Sequence, residues 1–289
     1  MKAESAAVAK PALYIVGTPI GNLEDVTLRA LRVLKEVDLI ACEDTRHTQK
    51  LLNHYAIPTR TISYHEHNEA TRAAELVKQM QEGASVALVT DAGMPGVSDP
   101  GYRLVAEAIS HNLRVIPVPG PSAFLSALVA SGLAVDGFRF NGFLPSKPSE
   151  RLQVFARVKI SPETEVFYEA PHRLLQAVED LVESLGESRY IVVAREMTKV
   201  HEEFLRGRAK DILDILKSRS TMKGEITLLI AKPDTSESEP PQTAPVSIAR
   251  RVEDIMVKDN VDQKTALKKV AKERGISKSE AYRELQRTR

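Results

Sequence analysis

The sequence predicts an α/β protein with two consecutive α/β domains and a small basic helical module, and three observations lead to that prediction. Short apolar strands alternate with amphipathic helices over the first 232 residues, the pattern of βαβ units. A stretch with four prolines and no large apolar side chain follows at 233–245 and is typical of a linker. Residues 246–289 then carry twelve Lys or Arg against seven Asp or Glu.

The first domain, residues 12–121, is predicted to be a mainly parallel sheet with helices on both faces. It follows residues 1–11, which are expected to be a disordered tail. Its strands are predicted at 12–16, 38–42, 61–63, 85–90 and 114–118, where apolar and β-branched residues cluster. Apolar positions at helical spacing, such as Leu28, Leu31 and Leu34, predict the connecting helices.

The second domain, residues 122–232, is also predicted to be α/β. Its strands are predicted at 138–143, 165–168, 189–194, 203–205 and 225–231, and its helices near 123–131, 148–158, 171–185 and 209–218. The strands that begin at Glu203 and Glu225 lie close together in the sequence, so a mixed sheet is expected.

The C-terminal module, residues 246–289, is predicted to contain two short helices. One helix face is formed by Ala266, Leu267, Val270 and Ala271. Gly275 would make a turn, and Ser277 or Ser279 would cap a second helix that ends near Arg287. Two helices joined at a glycine, with basic residues outside, resemble a helix-turn-helix that meets nucleic acid. A basic helical hairpin that packs on the rest of the chain is the alternative.

Composition restricts the class of protein. The formal net charge is +1, but the basic module contributes +5, so the preceding 245 residues sum to −4. This asymmetry favours an anionic partner for the module. Cys42 is the only cysteine, which excludes a disulfide framework, and no apolar run reaches the length of a membrane span. The N-terminus lacks an apolar leader, so a cytoplasmic protein without membrane contact is expected.

Three loops rich in glycine and proline, at 17–22, 91–101 and 119–123, follow the first, fourth and fifth predicted strands. Parallel strands share a carboxyl edge, so the three loops should line one cleft. They offer backbone donors and acceptors, the Asp91 carboxylate and a helix N-terminus at Ser122. That set suits a zwitterionic, hydroxylated cofactor. The glycine fingerprints of dinucleotide-binding and P-loop proteins do not occur.

Other chemistries are weakly supported. His65 and His67 share one face of an extended segment, but no third ligand is evident, so no metal is expected. The segment 96–100 begins like a nucleophile elbow but has proline where that motif needs its last glycine. Asp91 and Asp99 could pair around Mg²⁺, although a capping or turn role fits them better.

Six motifs make a resemblance specific. They are Gly17-Thr18-Pro19-Ile20-Gly21-Asn22-Leu23, Glu43-Asp44-Thr45-Arg46, the segment from Asp91 to Gly101, Pro119-Gly120-Pro121-Ser122-Ala123, Tyr168-Glu169-Ala170-Pro171-His172-Arg173 and Arg195-Glu196-Met197-Thr198-Lys199. They resemble the ribosomal small-subunit (16S) RNA 2′-O-methyltransferases of the tetrapyrrole (corrin/porphyrin) methylase superfamily. The resemblance runs from about residue 12 to 232, and the helical module resembles one that many bacterial members append.

The resemblance implies two α/β domains with S-adenosylmethionine (SAM) in the cleft between them, usually in a homodimer. It implies methyl transfer to the ribose 2′-OH of a cytidine in the decoding region of the rRNA, either free or in the assembled small subunit. By motif position, the SAM contacts would be Pro19, Ile20, Asp91, Ala92, Gly93, Met94, Ser122, Ala123, Tyr168, Glu169, Ala194 and Glu225. Glu169-Ala170 stands where the superfamily often has Met-Gly.

A carboxylate near the acceptor hydroxyl would help by taking its proton. The candidates are Asp44 and Glu169, at the cleft ends of their strands, with Glu43 as a third. The alternative for each of these carboxylates is an ion pair with Arg46 or Arg173.

Basic residues recur beside these loops, and Arg46, Arg173, Arg195 and Lys199 could hold RNA phosphates. Any of them could instead be a solvated surface charge. Two other functions stay open at this point. One is a methylase of the same superfamily that acts on a tetrapyrrole or a similar small molecule. The other is a non-catalytic nucleic-acid-binding protein built around the C-terminal helices.

Overall fold

The computed structural model describes residues 7–233, 255–256 and 262–273. The chain divides into two compact units after Lys232, at the start of the predicted linker. The first unit contains two five-stranded sheets. The rest of the linker, residues 234–245, lies outside the described residues.

The first sheet is entirely parallel, with the strand order β3-β2-β4-β1-β5. Its strands are β1 (Ala12–Val16), β2 (Leu39–Cys42), β3 (Thr61–Ser63), β4 (Ser85–Val89) and β5 (Arg114–Val118). The helices that connect them are α1 (Leu28–Glu36), α2 (Thr45–His54), α3 (Glu69–Gln81) and α4 (Tyr102–Ser110). The predicted parallel sheet is confirmed, and β4 and β1 at its centre are buried along their whole length.

Side chains of β1 alternate between two hydrophobic cores, one on each face of this sheet. Tyr14 and Val16 join the core that α1 covers, whereas Leu13 and Ile15 join the core that α3 and α4 cover. A strand that is buried on both faces needs a continuous apolar sequence, which explains why β1 has no charged residue and only one polar atom in its side chains, the Tyr14 hydroxyl.

The second sheet is mixed, with the order β6-β7-β10-β8-β9. Its strands are β6 (Phe138–Phe143), β7 (Thr164–Glu169), β8 (Tyr190–Arg195), β9 (Glu203–Arg208) and β10 (Ile226–Ile230). Only β6 and β7 pair in parallel; the other neighbours are antiparallel. The expected mixed sheet is confirmed, but the reason for expecting it was wrong. The strands at Glu203 and Glu225 are not neighbours, because β8 lies between β9 and β10.

The helices of the second sheet are α5 (Ala123–Ser131), α6 (Pro148–Val158), α7 (Leu174–Leu185) and α8 (Ala209–Lys217). The last three cover one face of the sheet, and α5 covers the other through Ala127 and Leu128. Helix α5 therefore belongs with the second sheet, next to the boundary that the sequence predicts between residues 121 and 122.

Residues 7–10, part of the expected disordered tail, make definite contacts. Val8 packs against the core under α1, and the Tyr14 hydroxyl accepts a hydrogen bond from the Ala9 N–H at 2.6 Å. Lys10 forms an ion pair with Asp38. The ordered chain thus begins before residue 11; residues 1–6 lie outside the described part.

In the second unit, α9 (Gln263–Glu273) buries Ala266, Leu267, Val270 and Ala271, which confirms the predicted helix face. The predicted turn at Gly275 and the second helix lie outside the described residues. Throughout the described ranges, no helix is both long and apolar enough to cross a membrane.

Candidate active site

The three loops rich in glycine and proline leave neighbouring strands, because β4, β1 and β5 are adjacent in the first sheet. Thr18 and Gly93 exchange two backbone hydrogen bonds, at 3.0 and 3.1 Å, and so join the loops after β1 and β4. The Gly17 N–H donates to the Val118 carbonyl at 3.2 Å and fixes the start of the loop after β1 beside β5. The prediction that the loops share one edge is confirmed.

Gly17 and Gly120 show why two of these loops require glycine. A Cβ added to either residue would lie 2.7 Å from the Cα of the other, closer than real Cβ contacts. The backbones of the loops after β1 and β5 can therefore touch only if both positions lack a side chain.

A cavity of about 380 Å³ opens where these loops face the ends of β7 and β10 from the second sheet. The first half of the chain contributes Ile20, Ala92, Gly93, Met94, Val97, Ser98 and Asp99 to its wall. The second half contributes Ser122, Ala123, Phe143, Tyr168, Glu169, Ala170, Pro171, Gly224, Glu225 and Ile226. A mostly apolar wall with a few polar groups is typical of a small-molecule site.

Most of the residues predicted to contact the cofactor come together at this cavity. Those that line it are Ile20, Ala92, Gly93, Met94, Ser122, Ala123, Tyr168, Glu169 and Glu225. Three do not. Pro19 and Asp91 line a smaller neighbouring pocket of about 240 Å³, and the Ala194 side chain is buried within the second sheet.

Sequence reasoning missed several residues of the wall. Val97, Ser98 and Asp99 lie in the loop that was singled out, but none was predicted to contact a ligand. Phe143 reaches the cavity because β6 has a register shift after Phe140 and Gly142 has a φ of +68°. The glycine was the only sign of this bulge. Ala170, Pro171, Gly224 and Ile226 were also missed.

Glu169 ends β7, and its side chain is fully buried at the cavity wall. Its Oε1 accepts a hydrogen bond from the Ala170 N–H at 2.7 Å and pairs with Arg173 Nη2 at 2.9 Å. Its Oε2 has no hydrogen-bond partner among the residues that the structure describes. Because an unsatisfied buried carboxylate oxygen is costly, this atom calls for a donor from a ligand.

Asp44 does not line the cavity, although a residue that takes a proton from the acceptor would have to lie there. It is the N-cap of α2, and its side chain accepts hydrogen bonds at 2.8 Å from the Arg46 backbone N–H and from Arg46 Nη2. These bonds lower the pKa of Asp44 to about 2. Asp44 pairs with Arg46, and Glu169 pairs with Arg173. These are the ion pairs that the sequence allowed as the alternative to a role as proton acceptor.

A wider groove of about 880 Å³ adjoins the cavity, and Ser98 and Asp99 line both. Glu43 lies in this groove, where burial and the Asp91 charge raise its pKa. Burial, together with the charges of Glu43 and Asp91, raises the pKa of Asp99 to about 6.

Each of the four cations predicted to hold phosphates pairs with a carboxylate. Arg46 pairs with Asp44, Arg173 with Glu169, Arg195 with Glu203, and Lys199 with both Glu196 and Glu225. Arg46 is the most accessible, with 88% of its side chain exposed, so its ion pair can open at little cost.

The cavity offers matching groups for a zwitterion. Ser122 is the N-cap of α5 but makes no side-chain capping bond, so the positive end of this helix faces the cavity without a carboxylate or hydroxyl cap. The open Oε2 of Glu169 attracts a donor on the same ligand. No cluster of three His, Cys, Asp or Glu within the described ranges could hold a metal ion.

Comparison with known proteins gives the site its context. The profile of the tetrapyrrole (corrin/porphyrin) methylases matches residues 12–213. A "Ribosomal RNA small subunit methyltransferase I" from Halalkalibacterium halodurans is 45% identical over 94% of each chain, and one from Escherichia coli O157:H7 is 42% identical over 97% of this chain and 96% of its own. The crystal structure of uroporphyrin-III-C-methyltransferase from Thermus thermophilus aligns with a TM-score of 0.56, at 22% identity, over 77% of this chain and 95% of its own.

Proposed function

Because the chain belongs to the tetrapyrrole (corrin/porphyrin) methylase family, whose members use SAM, we propose that it methylates small-subunit (16S) ribosomal RNA. The proposed acceptor is the ribose 2′-OH of a cytidine in the decoding region. The observation that carries the proposal is the extent of identity to the rRNA methyltransferases, which spans both sheets and almost the whole of each chain. The likeness to the uroporphyrin enzyme, at 22% identity, extends to the fold alone.

The cavity fits SAM on three counts. The uncapped N-terminus of α5 suits the SAM carboxylate, and the open Oε2 of Glu169 suits its ammonium group or a ribose hydroxyl. Ile20, Met94 and Ile226 supply apolar surface for the uncharged parts. When bound, SAM supplies an electrophilic methyl group on a sulfonium. Pro19, Asp91 and Ala194 do not line the cavity, and their proposed role is to support the loops and the sheet that form its wall.

The main contribution of these residues to the reaction is to align the methyl donor with the acceptor. An in-line displacement needs the acceptor oxygen held near the methyl carbon, and holding reactants in such a geometry is worth roughly 7–11 kcal/mol. Paired backbone bonds and the contact between two glycines hold together the loops that would position the cofactor.

Positive charge outside the cavity would hold the RNA. Arg46, Arg173, Arg195 and Lys199 exchange a carboxylate partner for a phosphate in this proposal, and Arg46 does so most easily because it is the most exposed. The basic residues 246–289 would add affinity that does not depend on RNA sequence. The working form is proposed to be a homodimer.

The test is incorporation of label from methyl-labelled SAM. Small ribosomal subunits from cells that lack this gene, naked rRNA and a tetrapyrrole are offered in parallel. We expect label in the RNA that blocks alkaline cleavage at one cytidine, and the first two acceptors show which RNA form is preferred. Label in the tetrapyrrole alone would contradict the proposal and move the chain to the small-molecule branch of the family.

A further inference from the structure

Asp99 occupies a position that no other carboxylate of the described chain shares. It lines the cavity proposed for SAM and also the wider groove beside it, and Ser98 is the only other described residue that lines both. A group that takes a proton from the acceptor must reach the acceptor at the point where it meets the methyl donor. Asp99 is placed at such a junction.

The local backbone holds Asp99 firmly. Ser98 has a φ of +63°, an uncommon conformation for a residue with a Cβ. On the other side, the Pro100 ring fixes its own φ and restricts Asp99, the residue before it, towards an extended backbone. Such strain persists where the surroundings over-determine it, and it concentrates at functional sites. The Thr90 side chain, at the end of β4, lies beside the Asp99 carboxylate and opposes the rise of its pKa. The backbone on both sides of Asp99 is therefore restricted before any ligand arrives.

The charges that face Asp99 come from several elements. Burial is the largest cause of the raised pKa of Asp99, and repulsion from Glu43, after β2, and Asp91, after β4, raises it further. The Asp99 charge in turn acts on Tyr168 of β7 and helps to raise the pKa of that phenol. The groove also contains Glu66, Glu69, Arg103 and Glu107. No Lys or Arg of the described residues lies within ion-pair distance of Asp99, whereas Arg173 pairs with Glu169 and Arg46 pairs with Asp44.

We propose that Asp99 is the general base that accepts the proton of the acceptor hydroxyl. The inference rests on the proposed function. As the ribose oxygen bonds to the methyl carbon, its O–H bond breaks and the proton passes to an Asp99 carboxylate oxygen. The bond between the methyl carbon and the sulfur of SAM breaks at the same time, and the electron pair of that bond remains on sulfur. Charges and atoms balance without a metal or a second co-reactant.

The environment of Asp99 suits this role better than that of Asp44 or Glu169, and Glu43, the third candidate from the sequence, lines the groove but not the cavity. A carboxylate with a pKa of about 6 is largely ionised at pH 7 and is a much stronger base than Asp44, whose pKa is about 2. Glu169 is already committed through Oε1 to Arg173 and a backbone N–H. The proposed role of Glu169 is to bind SAM through its open Oε2.

The test compares Asp99→Asn with Asp214→Asn, the same chemical change on the exposed side of α8. For Asp99→Asn we expect kcat for RNA to fall by roughly 100- to 10,000-fold, the range for loss of a general base. SAM affinity, measured by calorimetry, should stay within about threefold of wild type. Asp214→Asn should keep the wild-type kcat.

A titration of the cofactor-free protein supplies a readout independent of activity. With ¹³C-labelled aspartate, NMR should show one carboxyl that titrates near pH 6, is missing in Asp99→Asn and moves to lower pH in Glu43→Gln, which removes a repelling charge. An ordinary aspartate pKa for Asp99 overturns the inference. A kcat for Asp99→Asn within threefold of the wild-type value also overturns the inference. In that case, RNA that the wild-type enzyme labels still supports the proposed function. A wild-type enzyme that binds SAM and labels no RNA overturns both.

Discussion

Two aspartates near the carboxyl edge of the first sheet carry very different pKa values. Asp44 caps a helix beside an exposed arginine and has a pKa of about 2, whereas Asp99 sits half-buried among like charges and has a pKa of about 6. Their side chains are chemically identical, so this difference arises from burial and neighbours alone. From the sequence, Asp44 was a candidate proton acceptor and Asp99 fitted a capping or turn role. The sequence could not show which of the two has the higher pKa, because burial is a property of the folded chain.

Glu203 gives a pH-dependent prediction at the same scale. It accepts hydrogen bonds from Arg219 Nη1 at 2.8 Å and from Arg195 Nε at 3.1 Å, and the Arg219 bond is the main reason that its pKa falls to about 2. A pKa lowered by folding stabilises the protein above the unfolded value of about 4.5, and this stabilisation disappears as the pH falls towards 2. Glu203→Gln should therefore reduce the free energy of unfolding by about 2 kcal/mol at pH 7, after allowance for partial exposure.

Urea unfolding of wild type and Glu203→Gln at pH 7 and at pH 3.5 measures this effect. The difference between the two proteins should be smaller at pH 3.5. An equal difference at both pH values would show that the variant acts through packing and that the carboxylate charge has no part in it.

At the scale of elements, the contact between the loops after β1 and β5 allows a steric test. Gly120 has no unusual φ, so Gly120→Ala introduces only a methyl group, which would lie 2.7 Å from the Gly17 Cα. The two loops must then separate. We expect SAM affinity to fall at least tenfold and the free energy of unfolding to fall by about 1–3 kcal/mol, as in overpacked cores.

Gly137→Ala is the matched control, since its added methyl group would meet only the Glu163 side chain, at 3.4 Å from Cγ and 3.9 Å from Oε1. It should bind SAM like wild type. Normal SAM binding by Gly120→Ala would contradict the claim that the close approach of these loops shapes the cavity.

Helices α6 and α7 are joined by a buried ion pair. Arg151 and Asp180 have side chains that are 2% and 9% exposed, and Arg151 Nε donates to Asp180 Oδ2 at 2.7 Å. Arg151→Met leaves an unpaired buried carboxylate and should cost about 3–5 kcal/mol of unfolding free energy. Chemical denaturation measures this cost.

A second substitution separates charge from volume. Asp180→Leu added to Arg151→Met removes the isolated charge and should restore most of the lost stability. A double variant that is less stable than Arg151→Met would mean that packing around Arg151, and not the orphaned carboxylate, is the source of the loss.

Some features of these elements could be predicted from the sequence and others could not, because some depend on local sequence and others on packing between distant segments. The strands were placed to within a few residues because apolar, β-branched runs bounded by glycine or proline are local signals. The insertion of β10 between β7 and β8 was not predictable, since strand order is decided by packing between distant segments. The position of Phe143 depends on a bulge at Gly142, which the sequence marks only with a single glycine.

At the scale of the whole molecule, charge is divided between the two ends of the chain. Residues up to 245 sum to −4 and residues 246–289 to +5. Removal of residues 246–289 should weaken binding of rRNA and make the dependence of log K on log salt shallower, because fewer counterions are released. SAM affinity should not change. Unchanged RNA affinity and salt dependence after the deletion would contradict a role for this module in RNA binding.

The central claim is that SAM occupies the cavity formed by the loops after β1, β4 and β5 and by the ends of β7 and β10. Calorimetric titration with SAM of wild type, Ala92→Trp and Ala74→Trp tests it most directly. Ala92 lines the cavity, whereas Ala74 is exposed on α3, outside its wall. We predict that wild type and Ala74→Trp bind one SAM per chain with equal affinity, and that Ala92→Trp binds at least tenfold more weakly. Wild-type affinity in Ala92→Trp would place the cofactor elsewhere and contradict the account.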